Sequence, residues 1–235
     1  MPITITTTLP NPDCSEVNNS VIWDQFIIDH GILTAKNPVI RRYQNLESSP
    51  AEFMDSNHLI HHLTHAVYGL QRGYATLADD EFGSDEPDST FQPTLEALDA
   101  LFETNSYRFT RDSKVFKGVN KKPYYEIFCF DQVKVGDKVT MPGFLSTSVC
   151  RDKALEFSGL KGVLLVVIGL DSVNVLVPEN TCVAMTKRPN IPEQEIILDR
   201  NTTFKVESVI EAMGNCPREV TLRVLGSSSI ERVNA

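Results

Sequence analysis

Ile191-Pro192-Glu193-Gln194-Glu195-Ile196-Ile197-Leu198 sets two carboxylates at the mouth of an apolar run. A proline, then charge, then three large aliphatic residues predict a strand over 195–198 with a polar start and a buried end. In an extended chain, residues two apart share a face, so Glu193 and Glu195 are expected on one side and within reach of one substrate. Paired carboxylates suit displacement at an anomeric carbon, where one stabilises an oxocarbenium-like transition state and the other handles a proton. The same pattern also suits a solvated strand start with no chemistry attached.

Two stretches lie upstream of this one. Pro142-Gly143-Phe144-Leu145-Ser146-Thr147-Ser148 follows a predicted strand and carries three consecutive hydroxyls. These either satisfy backbone groups or fix a nearby carboxylate and a ribose hydroxyl. No Gly-x-Ser-x-Gly elbow surrounds them, which argues against a serine hydrolase. Further upstream, Ser113-Lys114-Val115-Phe116-Lys117-Gly118-Val119-Asn120 places Lys117 directly before a glycine. A glycine there admits close approach of a ligand and lysine supplies a compact cation, although an ordinary edge-strand lysine reads the same way.

The surroundings of these motifs set the fold class. From residue 114 onward, β-branched and aromatic runs alternate with turn residues, predicting strands at 114–119, 124–130, 138–141, 162–170, 173–177, 195–198, 203–210 and 219–225, with a short helix over 152–157. Before them the texture is helical. Ser49-Pro50-Ala51-Glu52 is a capping box opening a helix to about residue 72, with Phe53, Ile60, Leu63, Val67 and Leu70 on one stripe. A second helix starts near Pro93 and turns Leu95, Leu98 and Leu101 or Phe102 inward. Helices first and sheet afterwards give an α+β arrangement. The expected organisation is a disordered leader over 1–20 and a single domain over 21–235, helical to about 106 and sheet-rich over about 107–228.

Composition excludes several function classes. The chain has 235 residues, 41% hydrophobic and 23% charged, as in an ordinary globular protein. Lys+Arg 22 against Asp+Glu 31 gives a net charge of -9, which disfavours nucleic acid and anionic lipid. No apolar run approaches the ~20 residues of a membrane-spanning helix. The start of the chain lacks a signal peptide's basic end and apolar segment. Cys14, Cys129, Cys150, Cys182 and Cys216 are odd in number and widely spaced, suggesting neither a disulfide framework nor a zinc site. His58, His61, His62 and His65 form i, i+4 pairs on the first long helix, but no third ligand is evident and no metal is expected. Residues 79–88 contain six acidic side chains in ten and read as a solvated loop.

Taken together and in order, Val-Phe-Lys-Gly, Gly-Phe-Leu-Ser-Thr-Ser and Glu-Gln-Glu-Ile-Ile-Leu resemble the toxin-type mono-ADP-ribosyltransferases with the Arg, Ser-Thr-Ser, Glu-x-Glu signature. The likeness covers about residues 114–207. It implies a split β-sandwich core preceded by a helical region, and NAD as substrate. By the same resemblance, Ser146 holds the catalytic glutamate, Thr147 and Ser148 brace the nicotinamide pocket, Glu195 is the catalytic glutamate and Glu193 orients or deprotonates the acceptor. Phe157, eleven residues after Ser146, matches the loop aromatic that stacks on nicotinamide. Lys117 and Gly118 occupy the cofactor-binding position at which the family carries Arg. Arg108 and Arg111, in the preceding segment, are further candidate cations.

The resemblance implies a monomeric bacterial effector, secreted into the host cytosol, that transfers ADP-ribose to a host protein side chain. Glu-x-Glu goes with arginine acceptors in the family, and some effectors with the same pattern modify threonine, on actin or ubiquitin. A non-catalytic host-binding module on the same fold and an NAD glycohydrolase are the two alternatives.

Overall fold

Apolar and polar residues alternate through Thr202–Ile210 and Arg218–Gly226, and these are the longest strands among the described residues. The computed structural model describes residues 7–10, 20–32, 38, 40, 92–104, 107–119, 130, 132–141, 144–178 and 194–227. In chain order the elements are β1 (Thr7–Leu9), α1 (Ser20–Asp29), α2 (Gln92–Thr104), β2 (Tyr107–Phe109), β3 (Lys114–Val119), β4 (Lys138–Met141) and β5 (Leu145–Ser148). They continue with α3 (Arg151–Ser158), β6 (Val163–Ile168), one 3-10 turn (Leu170–Ser172), β7 (Val175–Leu176), β8 (Glu195–Leu198), β9 (Thr202–Ile210) and β10 (Arg218–Gly226). The strands hydrogen-bond in the order β1-β2-β7-β8-β5-β3-β6-β10-β9-β4. Helices packed on such a mixed sheet make the fold α+β, in agreement with the sequence.

The sheet has a weak line. β5 and β3 meet through one residue pair, Phe116 opposite Ser148, whereas β3 and β6 run through six pairs and β5 and β8 through four. This seam divides the strands into two half-sheets that fold toward each other. Their inner sides share one core, with Phe109, Leu145, Val175, Ile196 and Leu198 from one half and Val115, Leu165, Val167, Phe204 and Leu222 from the other. On the outer side of the first half, α2 sets Leu98, Leu101 and Phe102 against Phe144, Leu176 and Ile197, with the Phe102 and Phe144 rings stacked 5.4 Å apart. Arg200 clamps the docked helix by donating to Asp99 at 2.7 and 2.5 Å.

The outer side of β3 carries α3. A Cβ on Gly118 would lie 1.9 Å from the Ala154 carbonyl oxygen, so only glycine lets this helix seat so closely. The space next to Gly118 is thus filled by α3 backbone, which corrects its reading as an opening for a ligand. β6 lies between β3 and β10 and is buried through its first five residues, which is why it reads as a continuous apolar run.

Three differences from the sequence expectations have local causes. Thr7–Leu9, inside the expected leader, is a strand paired in parallel with Tyr107–Phe109, and Leu9 is fully buried. Three residues are too few to show a period. The strand expected over 162–170 ends at Ile168, because Gly169 at φ 77 turns the chain into the 3-10 turn. α1 was not anticipated. It buries Trp23, Phe26 and Ile27, and Trp23 donates its indole N–H to the Pro178 carbonyl at 3.1 Å. The helix expected over 49–72 with its four histidines, the acidic stretch 79–88 and most of the strand expected over 124–130 lie outside the described residues.

Candidate active site

β5 and β8 run antiparallel with Ser148 opposite Glu195 and Ser146 opposite Ile197. Alternation puts Ser146, Ser148, Glu195 and Ile197 on one face, and Leu145, Thr147, Ile196 and Leu198 on the other. Ile197 anchors the first face in the α2 cluster, and Glu195 continues that face toward the strand start. Ile196, Ile197 and Leu198 are all fully buried, at about 2 kcal/mol each by apolar burial. That is enough to hold a strand whose first residue is a buried carboxylate. Glu195 is 5% exposed. A carboxylate so placed needs donors, and Ser146 Oγ donates to Glu195 Oε1 at 2.5 Å.

The other two hydroxyls act on the scaffold. Thr147 points to the inner core and donates to the Ile196 carbonyl across the ladder at 2.7 Å. Ser148 Oγ accepts the Cys150 N–H at 3.0 Å, fixing the residue that precedes α3. The site serine is thereby held between a braced strand and a fixed helix start.

Gln194, directly before Glu195, has φ 47 and is buried. Its carbonyl accepts the Val149 N–H at 3.2 Å. A left-handed backbone at a non-glycine residue is costly and persists only where the surroundings impose it. Extended alternation therefore starts at Glu195 and does not run back through Gln194, which removes the strand-period reason for placing Glu193 on the side of Glu195. Glu193 itself lies outside the described residues.

Lys117 joins the cluster through the backbone, with Nζ donating to the Ser146 carbonyl at 3.1 Å. Phe157 lies in the last turn of α3 rather than on a loop, is 45% exposed, and has the Lys153 ammonium 5.8 Å from its ring centre. Arg108 is committed elsewhere, donating to Asn174 Oδ1 at 3.1 Å, and Arg111 is exposed in a turn. Ser146, Glu195 and Lys117 are thus brought together by hydrogen bonds, and Ser148 stands beside them in register.

Lys153 escaped the sequence reading. It is 1% exposed, its Nζ has no acceptor within hydrogen-bond distance, and Glu156 Oε2 stands 3.6 Å away. No local signal marks it in Arg151-Asp152-Lys153-Ala154-Leu155-Glu156-Phe157; its burial together with Ala154 and Ser158 comes from the docking of α3 on β3. Among the described residues there is no cluster of three or more metal-ligating side chains and no helix long and apolar enough to cross a membrane.

No protein-family model and no curated protein sequence matches the chain. Solved structures do. C3stau2 from S. aureus, crystallised with NAD, is 15% identical with a TM-score of 0.52, over 94% of this chain and 100% of that one. Exoenzyme S from Pseudomonas aeruginosa, in complex with human 14-3-3 protein beta and bound to carba-NAD, is 18% identical with a TM-score of 0.44, over 86% and 88% of the two chains. The ADP-ribosyltransferase Vis of Vibrio splendidus, in complex with agmatine, is 15% identical with a TM-score of 0.45, over 82% and 87%. The likeness to C3stau2 shows the fold, an ADP-ribosyltransferase-like core.

Proposed function

We propose that the protein is an NAD-dependent mono-ADP-ribosyltransferase of the toxin type. The observation that carries this reading is the buried Glu195 carboxylate held by Ser146 at 2.5 Å, in a chain sharing the fold of a protein crystallised with NAD. The residues fit the chemistry of such a substrate. Glycosidic cleavage at the nicotinamide ribose develops positive charge on the sugar ring while the bonding pair leaves with nicotinamide. A fixed carboxylate with little water around it stabilises that charge far more than bulk solvent does, and mainly in the transition state. Glu195 takes this role and accepts from the ribose 2'-hydroxyl. Ser146 keeps the carboxylate from rotating away, while Thr147 and Ser148 hold the strand and helix start that frame the nicotinamide pocket. Phe157, at the exposed end of α3, stacks on nicotinamide.

The acceptor's nucleophile forms the new bond to the anomeric carbon and gives up its proton to Glu193. The Glu-x-Glu spacing favours an arginine on a host protein, with threonine, as on actin or ubiquitin, the second choice. Release by a bacterium into the host cytosol follows from this reading, and no metal takes part.

Incubating host lysate with the protein and NAD, followed by intact-protein mass spectrometry, tests it. One ADP-ribose unit should appear on a defined acceptor and be absent with Glu195→Gln. Free ADP-ribose with no labelled protein would instead make the protein an NAD glycohydrolase. No turnover of NAD would leave a binding module on a transferase fold.

A further inference from the structure

We infer that Lys117 is a positioning residue that clasps the seam between the two half-sheets at Ser146, rather than a ligand for a diphosphate. Its link to catalysis rests on the reading of Glu195 as the catalytic carboxylate. Lys117 shares its strand face with Val115 and Val119, both buried in the core between the half-sheets, whereas Gly118 faces α3. Its side chain therefore starts out toward the interior. The ladder between β3 and β5 consists of the pair Phe116 and Ser148 and does not extend to Ser146. There the ammonium donates to the Ser146 carbonyl at 3.1 Å, where no backbone pairing with β3 continues. A charged donor on a four-carbon stem bridges a gap that a backbone N–H no longer spans.

Ser146 then transmits the constraint. Its carbonyl is held by Lys117 and its hydroxyl donates to Glu195 at 2.5 Å, so ammonium, main chain, hydroxyl and carboxylate form one connected line. This also accounts for lysine at the position. A point donor suits one carbonyl oxygen, whereas the planar fork of arginine suits the paired oxygens of a phosphate. The clasp assigns Lys117 to the geometry of the catalytic group and leaves NAD affinity to other residues.

The test compares Lys117→Met, which keeps the apolar stem and removes the donor, with Lys117→Arg, which keeps a donor. Amide hydrogen exchange over 145–149 is measured on the intact chain together with kcat and KM for NAD hydrolysis. Lys117→Met is expected to speed exchange in β5 and lower kcat by about tenfold, equivalent to about 1.4 kcal/mol in barrier, with KM changed less than about threefold. Lys117→Arg is expected to retain slow exchange. Unchanged exchange in Lys117→Met would overturn the clasp, as would a rise of about tenfold in KM at constant kcat, the mark of a lost diphosphate ligand. If Lys117→Met does not fold, Lys117→Leu, which also keeps an apolar stem and removes the donor, gives the same contrast. Should the wild-type protein leave NAD untouched, the functional reading fails, while exchange over 145–149 still decides the clasp.

Discussion

Glu195 and Lys153 are both buried ionisable side chains, and the difference between them is instructive. Glu195 has the Ser146 hydroxyl at 2.5 Å, whereas the Lys153 amine has no acceptor within hydrogen-bond distance and only a carboxylate at 3.6 Å and an aromatic ring as company. A buried polar group left without a hydrogen bond costs about 1–3 kcal/mol. Lys153→Met should therefore stabilise the fold by about 1 kcal/mol, read by calorimetry as a rise of roughly 3 °C for a chain of this size. A fall in Tm would mean that Glu156 and Phe157 compensate the amine fully. Glu195→Gln is nearly isosteric and retains an acceptor for Ser146, so Tm should hold while turnover drops by about 100-fold or more. At this scale the contact between Ser146 and Glu195 was what the family resemblance implied, and the hydrogen bond between them is present. The sequence was illegible where the backbone departs from the strand period, as at Gln194 with φ 47. Nor does local sequence announce that the lysine before Gly118 bonds a carbonyl 29 positions away.

Among the elements, three strands were legible to the residue. Lys114–Val119, Lys138–Met141 and Glu195–Leu198 fall where their patterns put them, and Gln92–Thr104 starts one residue before the proline that announces it. The elements that escaped are those whose existence depends on distant partners. β1 and β2 have three residues each and are strands because they pair with each other, about a hundred residues apart in sequence. Helix docking carries two predictions. Gly118→Ala forces a methyl to within 1.9 Å of the Ala154 carbonyl, so α3 must lift from β3. The cost should be about 3 kcal/mol, a fall in Tm of roughly 10 °C. On the other half-sheet, Asp99→Ala leaves the Arg200 guanidinium, 22% exposed, without its two carboxylate bonds. Denaturant titration should show a loss of about 2 kcal/mol with the m-value unchanged. By contrast, the Arg223 guanidinium holds the Glu207 carboxyl below its usual range through a hydrogen bond at the protein surface. That pairing favours the folded state above the ordinary carboxylate range and is lost as pH falls below it, and screening by water keeps its effect small.

For the molecule as a whole, under the proposed transfer reaction the net charge of -9 would bear on the encounter with a macromolecular acceptor more than on chemistry with NAD. If that acceptor presents a basic surface, transfer should slow as salt rises while NAD hydrolysis stays constant, and the ratio of the two rates across an ionic-strength series reads this directly. The ladders thin to a single residue pair at two places, between β2 and β7 and between β3 and β5, and the second of these lies beside Ser146 and Glu195. Bending at the β3–β5 line would be concentrated at Phe116 and Ser148. A slow hinge motion about this line is the expected consequence, with Ser146 and Glu195 beside its axis, where displacement is least. Such an axis would let the flanking ladders move while the carboxylate holds still, and relaxation dispersion centred on the amides of residues 116 and 148 would be its signature.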